Sequence, residues 1–202
     1  MLAKSHFLPT FASLFSTYCH LFHFNPAFFI VSHNLQLAIS YLESLEWRFM
    51  VEEELEIIRL DISVPNAKLD CILHVLPKQE FILFFSLFPI PIPEEKRLLI
   101  AEYITRANYG LNAGNLELDF KDGEVRYRTY CNTDNDSLNE EIIRHLIHVN
   151  IQTMDRYAAG IMKVLYGNQS PQQAIEEVEI ENEDGDEDDD EDTDRLLKDL
   201  LN

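Results

Sequence analysis

Few residues of this chain have types and spacing that suit chemistry. His145 and His148 lie three residues apart in a segment with helical spacing, so both can point the same way from one helix. A metal site needs further ligands that converge on it, and no second helix offers matching carboxylates. His20 and His23 repeat the spacing near the N-terminus with still less support. We therefore predict neither a metal nor a cofactor.

Motifs of enzyme active sites are also missing from the sequence. It contains no G-x-x-x-x-G-K, G-x-G-x-x-G or G-x-S-x-G pattern, and its six glycines leave little room for a phosphate loop. If the protein were an enzyme with an unrecognised site, the first candidates would be Asp155, Arg156, Tyr157 and Asn108. Helix capping and hydrogen bonds between elements explain these residues equally well. We predict a protein without catalytic residues.

Arg126 and Arg128 are the charged residues whose placement is clearest. They alternate on one face of a predicted strand, opposite Glu117 and Asp119 if an Asp-Gly turn sets the register. Cross-strand ion pairing is the simplest interpretation of this arrangement. The functional alternative is an arginine-bearing sheet face that binds an acidic segment of a partner protein.

The C-terminal region combines an acidic run with a short leucine motif. Glu181–Asp194 holds eleven acidic residues, and with nothing apolar to bury we predict that 180–194 is a disordered linker. Aligned as a calcium loop on Gly185, the run has Ile180 at the first ligand position and fails as an EF-hand. Residues 195–202 are predicted to form a short amphipathic helix that folds back onto the body or docks in another protein's groove. Its candidate partner contacts are Leu197, Leu200 and Leu201.

Charge and cysteine content exclude several classes of protein. The formal net charge is −20, and so acidic a chain repels nucleic acid and anionic membrane surfaces, neither of which we expect as a partner. Cys19, Cys71 and Cys131 are odd in number and lack a C-x-x-C arrangement, so they encode neither a disulfide framework nor a zinc ribbon. Free thiols in a reducing cytoplasm are expected.

The N-terminal segment is apolar and aromatic. Phe7–Val31 is long enough in principle to span a bilayer, but Pro9 and Pro26 interrupt it and only Lys4 provides a positive flank. We predict that 1–33 is an extension without a stable fold, or one translated from upstream of the natural start. The alternative is a membrane-associated segment, which would make the protein a tethered regulator.

The central part of the chain alternates between helical and strand patterns. Periodicity and turn signals predict a helix from Asn34, strands at 58–64, 69–76 and 81–88, and a helix from Pro93 to a left-handed Gly110. They then predict a hairpin with its turn at Asp122-Gly123, a helix at 138–162 and a last helix that begins with a capping box of Ser170 and Gln173 and runs to about Val178. Phe81–Phe88 is almost wholly apolar, as expected of a central strand covered on both faces. In the hairpin, Leu116, Leu118 and Phe120 should share the face that meets the helices.

Two stretches of this sequence resemble a known family. They are SLFPIPIPEEKRLLIAEYITRANYGLNAGNLELDFKDGEVRYRT and NIQTMDRYAAGIMKVLYGNQSPQQAIEEVE, and with the order of elements they resemble the YbjN-domain family of bacterial proteins, especially its cyanobacterial members. The likeness extends from about Leu35 to Glu179. It implies the fold of type III secretion chaperones, small proteins that usually dimerise and bind partner polypeptides, and a role in sensory transduction or stress regulation. It transfers no catalytic residue.

These observations combine into one prediction of fold and function. The fold is α+β, with an antiparallel five-stranded sheet, helices on one face and the order α-β-β-β-α-β-β-α, and it spans 34–179. The protein is a non-enzymatic, chaperone-like or sensory or stress-regulatory protein that binds another polypeptide. We expect it to be a cytoplasmic homodimer.

Overall fold

The structure is a computed structural model that describes residues 31–134 and 138–183. The described elements are α1 (His33–Ser44), β1 (Met50–Glu52), β2 (Ile57–Val64), β3 (Ala67–Leu76), β4 (Phe81–Leu87), α2 (Arg97–Gly110), β5 (Asn115–Leu118), β6 (Val125–Asn132), α3 (Glu140–Tyr166) and α4 (Pro171–Glu183). Most of the predicted N-terminal extension, the acidic linker and the C-terminal helix lie outside these residues. The same holds for Cys19, His20, His23, Leu197, Leu200 and Leu201.

The strands form one antiparallel sheet in the order β1-β2-β3-β4-β6-β5. The predicted α+β class with an antiparallel sheet is confirmed, but the predicted count of five strands was wrong, since the described residues contain six. The additional strand, β1, is an edge strand of three residues in which Val51 lies opposite Ile58. Three residues are too few to show an alternating pattern, so the sequence did not reveal it.

Local signals in the sequence determine where the helices begin. The Ser32 side chain accepts a hydrogen bond at the start of α1, and Asn139 does the same for α3, which therefore starts two residues later than predicted. At α4 the predicted capping box forms: the Ser170 and Gln173 side chains each accept from the other's backbone N–H, at 3.3 and 3.1 Å. No helix within 31–134 and 138–183 is long and apolar enough to cross a membrane.

The core lies between the helices and one face of the sheet, which we call the inner face. Helix α3 packs on the inner face of β4 and β6, and its fully buried Asn150 joins the two layers. The Asn150 amide donates to the carbonyls of Phe84 and Tyr127 and to the Thr129 hydroxyl, and it accepts from Ser86 at 2.5 Å. Such a network satisfies every polar atom that it buries and fixes how the helix sits on the sheet.

The hairpin of β5 and β6 forms where it was predicted, but it differs from the prediction at Gly110, Gly114 and Phe120. Gly123 adopts a φ of 87° in the turn, as an Asp-Gly signal requires. Gly110 ends α2 without a left-handed conformation; Gly114 has it instead, at a φ of 70°. Phe120 was predicted to face the helices, but β5 ends at Leu118 and Phe120 lies in the turn, 52% exposed.

Candidate partner-binding face

Strand β4 places four large apolar side chains on the face opposite the helices, which we call the outer face. Phe81, Leu83, Phe85 and Leu87 alternate with the buried inner residues and are each half-buried. We predicted a strand covered on both faces, and this was wrong for the described residues, whose helices all lie on the inner side. The outer face of β4 is therefore an apolar row without a helical cover from that part of the chain.

Neighbouring strands widen this apolar row. Ile72 of β3 lies opposite Phe85, and Tyr130 of β6 lies opposite Leu83. The rings of Phe81 and Tyr130 meet edge to face, with centroids 6.0 Å apart. Tyr130 is 56% exposed, so the row extends to solvent on the β6 side.

The two arginines predicted as partner contacts lie beside the row. Arg128 is opposite Phe85 and Arg126 is opposite Leu87 on β6. Both bind one carboxylate of β5: Arg126 Nε is 2.7 Å from Glu117 Oε2, and Arg128 Nη2 is 2.8 Å from Glu117 Oε1. The Arg126 guanidinium also stacks over the Phe85 ring, 4.8 Å from its centroid. The predicted cross-strand pairing with Glu117 is confirmed.

The register corrects one detail of that prediction. Glu117 lies opposite Arg126 and Asn115 lies opposite Arg128, so Asp119 faces neither arginine. Asp119 instead closes the turn, where its N–H donates to the Glu124 carbonyl and its carboxylate accepts from the Lys121 N–H. The loop is longer than a two-residue turn, and this shifts the pairing.

Electrostatics at this cluster favour a charged Glu117. Although partial burial opposes ionisation, the hydrogen bonds and charges of Arg126 and Arg128, with a bond from Asn115, hold the pKa of Glu117 below its ordinary value. Two guanidinium groups share this one carboxylate, and their side chains remain 40% and 36% exposed. The cluster thus retains donors that an acidic group of a partner can bind.

The other candidate residues do not converge on a catalytic centre. Asn108 bonds both the N–H and the carbonyl of Leu116, and Asp155 accepts from the Asn66 N–H at 2.8 Å. These are the inter-element hydrogen bonds that we gave as the structural explanation. The Arg156 guanidinium stacks on the Tyr157 ring, 5.0 Å from its centroid.

The described residues also show no site for metal binding or thiol chemistry. No group of three histidine, cysteine, aspartate or glutamate residues in its described part has a metal-binding arrangement, and His145 lies exposed on α3. Cys71 is buried in β3, where desolvation and then the nearby Asp70 raise its pKa far above the ordinary value. A thiol held in its neutral form is unreactive.

The outer apolar row is the feature that sequence reasoning missed. Its signal was the almost wholly apolar run of β4, which we attributed to cover on both faces. A strand whose second face is covered by another protein has the same apolar run.

Comparisons with solved structures identify proteins of similar fold. No curated protein matches the chain. Among solved structures, the crystal structure of YbjN from E. coli, described as "a putative transcription regulator", matches with a TM-score of 0.50 and 13% identity, over 61% of this chain and 87% of that one. At this identity the likeness shows the fold alone. The HopA1-SchA chaperone-effector complex matches with a TM-score of 0.42 and 19% identity, over 61% of this chain and 92% of that one.

A family model provides the assignment. The YbjN model, described as "Putative bacterial sensory transduction regulator", matches residues 39–162, which include all of β1 to β6 and most of α3. The match covers more than half of the chain and agrees with the resemblance in the sequence. This chain belongs to the YbjN family.

Proposed function

We propose that this protein is a non-enzymatic regulatory or chaperone-like protein whose outer sheet face binds another polypeptide. The observation that carries the proposal is the apolar row of β4, Phe81, Leu83, Phe85 and Leu87, which the described helices leave uncovered. Covering apolar surface yields about 25 cal/mol per Å². A partner that covers this row gains that energy, whereas solvent gives none.

The arginine pair supports a partner with acidic groups next to apolar ones. Arg126 and Arg128 lie at the edge of the row and are held in place by Glu117 and Phe85. Fixed guanidinium groups lose little entropy when they bind a carboxylate. We therefore propose that apolar side chains of the partner cover the row while an acidic side chain contacts Arg126 or Arg128.

Two further features of the working protein belong to this proposal. We propose a homodimer, on the strength of the sequence resemblance to chaperones that usually dimerise. We propose a cytoplasmic location because the chain has no disulfide pattern and its Cys71 is a buried thiol. Light scattering coupled to size-exclusion chromatography of the full-length protein tests the dimer, which a monomer at micromolar concentration would contradict.

The C-terminal leucines are a separate proposed contact. Leu197, Leu200 and Leu201 lie outside the described residues, and their role rests on the LLKDLL pattern alone. The proposed organisation is a folded domain at 34–179, an acidic linker at 180–194 and this motif after it. Replacing the three leucines by serine in the full-length chain should weaken a partner interaction only if the motif takes part in it.

Position-specific photo-crosslinking in living cells tests the outer face. A benzoylphenylalanine at Leu83 should crosslink to one defined polypeptide, while the same group at Thr105, exposed on α2, should not. The double variant R126E/R128E should remove that crosslink without loss of helical circular dichroism.

The control separates binding from folding. If Leu83 and Thr105 give the same products, the outer face has no specific partner and the proposal fails. If R126E/R128E stays folded and keeps the crosslink, the arginines serve only as cross-strand pairs to Glu117.

A further inference from the structure

A cleft on the helix side of the molecule has the size of a small-ligand site. It measures about 710 Å³ and lies between α3, α4 and the loop that joins α2 to β5. Clefts of roughly 300 to 1,000 Å³, mostly apolar with a few polar groups, are typical of such sites. The lining includes Leu111, Asn112, Val149, Thr153 and Arg156.

Arg156 is the cation in this cleft, and its bonding is incomplete. Its guanidinium stacks on the Tyr157 ring at 5.0 Å, and its Nε is buried without a hydrogen-bond partner. Within 31–134 and 138–183 it forms no ion pair with a carboxylate. A buried donor without a partner destabilises the protein, and a bound anion can recover that cost.

Four of the eight arginines in the described residues form an ion pair with a carboxylate, and Arg156 is not among them. Arg59 binds Glu52 and Arg106 binds Glu102, while Arg126 and Arg128 share Glu117. Acidic residues outnumber basic ones by 36 to 16, so carboxylates are abundant as partners. Glu179 lines the same cleft as Arg156 but forms no ion pair with it, so the guanidinium can still bind the carboxylate of a ligand.

A second cleft of about 620 Å³ adjoins the first. The two share Asn112, Ala113, His145 and Val149 in their lining. The second continues along α3 to the apolar Ile142 and Leu146. Together they provide a cationic end at Arg156 and an apolar trough that leads away from it.

We propose that the joined clefts bind an amphipathic monocarboxylate, with its carboxylate on Arg156 and its aliphatic chain along Val149 towards Leu146. Arginine binds carboxylates through paired N–H donors, and the Tyr157 ring fixes the plane of the guanidinium. A single negative charge fits best, because Glu179 also lines the cleft and the whole chain is strongly acidic.

The Arg156 end of the site is separate from the outer apolar row. The first cleft opens on the side of α3 and α4, whereas the row of β4 lies on the opposite face of the sheet. The second cleft reaches Tyr130, which borders the row opposite Leu83. Leu87→Asp, at the end of the row away from Tyr130, should therefore leave carboxylate binding unchanged.

Titration of the ¹⁵N-labelled full-length protein with octanoate tests the proposal, with octanamide as the uncharged match. Octanoate should give saturable shifts centred on Asn112 and Val149, and octanamide should bind about tenfold more weakly for want of the charged hydrogen bonds. R156Q should weaken octanoate about tenfold, and R156K should recover part of the loss because it keeps the charge but not the fork.

A variant that should tighten octanoate binding, rather than weaken it, completes the test. E179Q removes a negative charge from the lining of the cleft and should tighten octanoate binding about threefold. The proposal is overturned if octanoate gives no saturable shift, if octanamide binds equally well, or if R156Q with a dispersed spectrum binds octanoate like the wild type.

Discussion

The two faces of strand β4 use their side chains in opposite ways. On the inner face, Ile82, Phe84 and Ser86 are fully buried, and the polar one of them, Ser86, bonds Asn150. On the outer face every β4 residue is large and apolar, and each is only half-buried. The inner face explains how the chain folds, while the outer face has more apolar surface than the described fold requires.

This difference separates stability from function within one strand. In an antiparallel sheet, the face that is exposed to solvent normally carries polar residues. The outer face of β4 instead carries apolar residues such as Leu83 and Phe85. Arg126 and Arg128 lie beside this face on the neighbouring strand, β6. Changes on the inner face should therefore affect folding first, and changes on the outer face should affect binding first.

A matched pair of phenylalanines gives the largest expected effect. Phe84→Ala empties a fully buried site and should lower the free energy of unfolding by about 4 kcal/mol, as for other core phenylalanines. Phe85→Ala, one residue along on the outer face, should cost about 1 kcal/mol, since the half-buried ring removes less apolar surface from water and its further loss is the contact with Arg126. Urea unfolding followed by circular dichroism measures both.

Equal losses for the two phenylalanines would contradict the distinction between the faces. They would mean that the outer face is buried as deeply as the inner one in the whole protein. In that case F85A would destabilise the fold as much as F84A does, and it could not be used to test partner binding.

The inner polar network should give the second effect. Asn150→Leu keeps the branched shape of the side chain but leaves the Ser86 hydroxyl without its partner and removes the bond to Thr129, whose hydroxyl still donates to the Leu146 carbonyl. The free energy of unfolding should therefore fall by about 3 kcal/mol. Adding Ser86→Ala to Asn150→Leu should recover about 1 kcal/mol, because the orphaned hydroxyl is then removed. Additive losses in the same urea experiment would show that the network is not coupled.

Local signals in the sequence sufficed for much of the fold. The capping box at Ser170, the turn at Gly123 and the pairing of Arg126 with Glu117 each depend on residues close in sequence or on simple alternation. The order of helices and strands follows from the same periodicities. The sequence did not predict the short β1 or the exposed position of Phe120, because the ends of strands and the lengths of turns depend on one or two residues.

The binding surfaces depend on where distant elements dock. The apolar run of β4 predicts a central strand, but whether its second face is covered depends on which side the helices occupy. Arg156 was named among possible catalytic residues, yet its cleft exists only because the loop with Leu111 and Asn112 meets α3. No pattern within a short window of sequence contains that information.

The Glu117 cluster should give the smallest effect, and one that depends on pH. Because the pKa of Glu117 is lowered in the folded state, its charged form stabilises the protein above the unfolded pKa of about 4.3, and this stability is lost as pH falls through the folded pKa. Glu117→Gln should therefore cost about 1 kcal/mol near pH 7, in line with other partly exposed ion pairs, and the gap to the wild type should close below ~pH 4. Urea unfolding between pH 3 and pH 7 measures the gap. In an R126M/R128M background the same substitution should show almost no gap at any pH, and a gap that persists there would assign the lowered pKa to groups other than the two arginines.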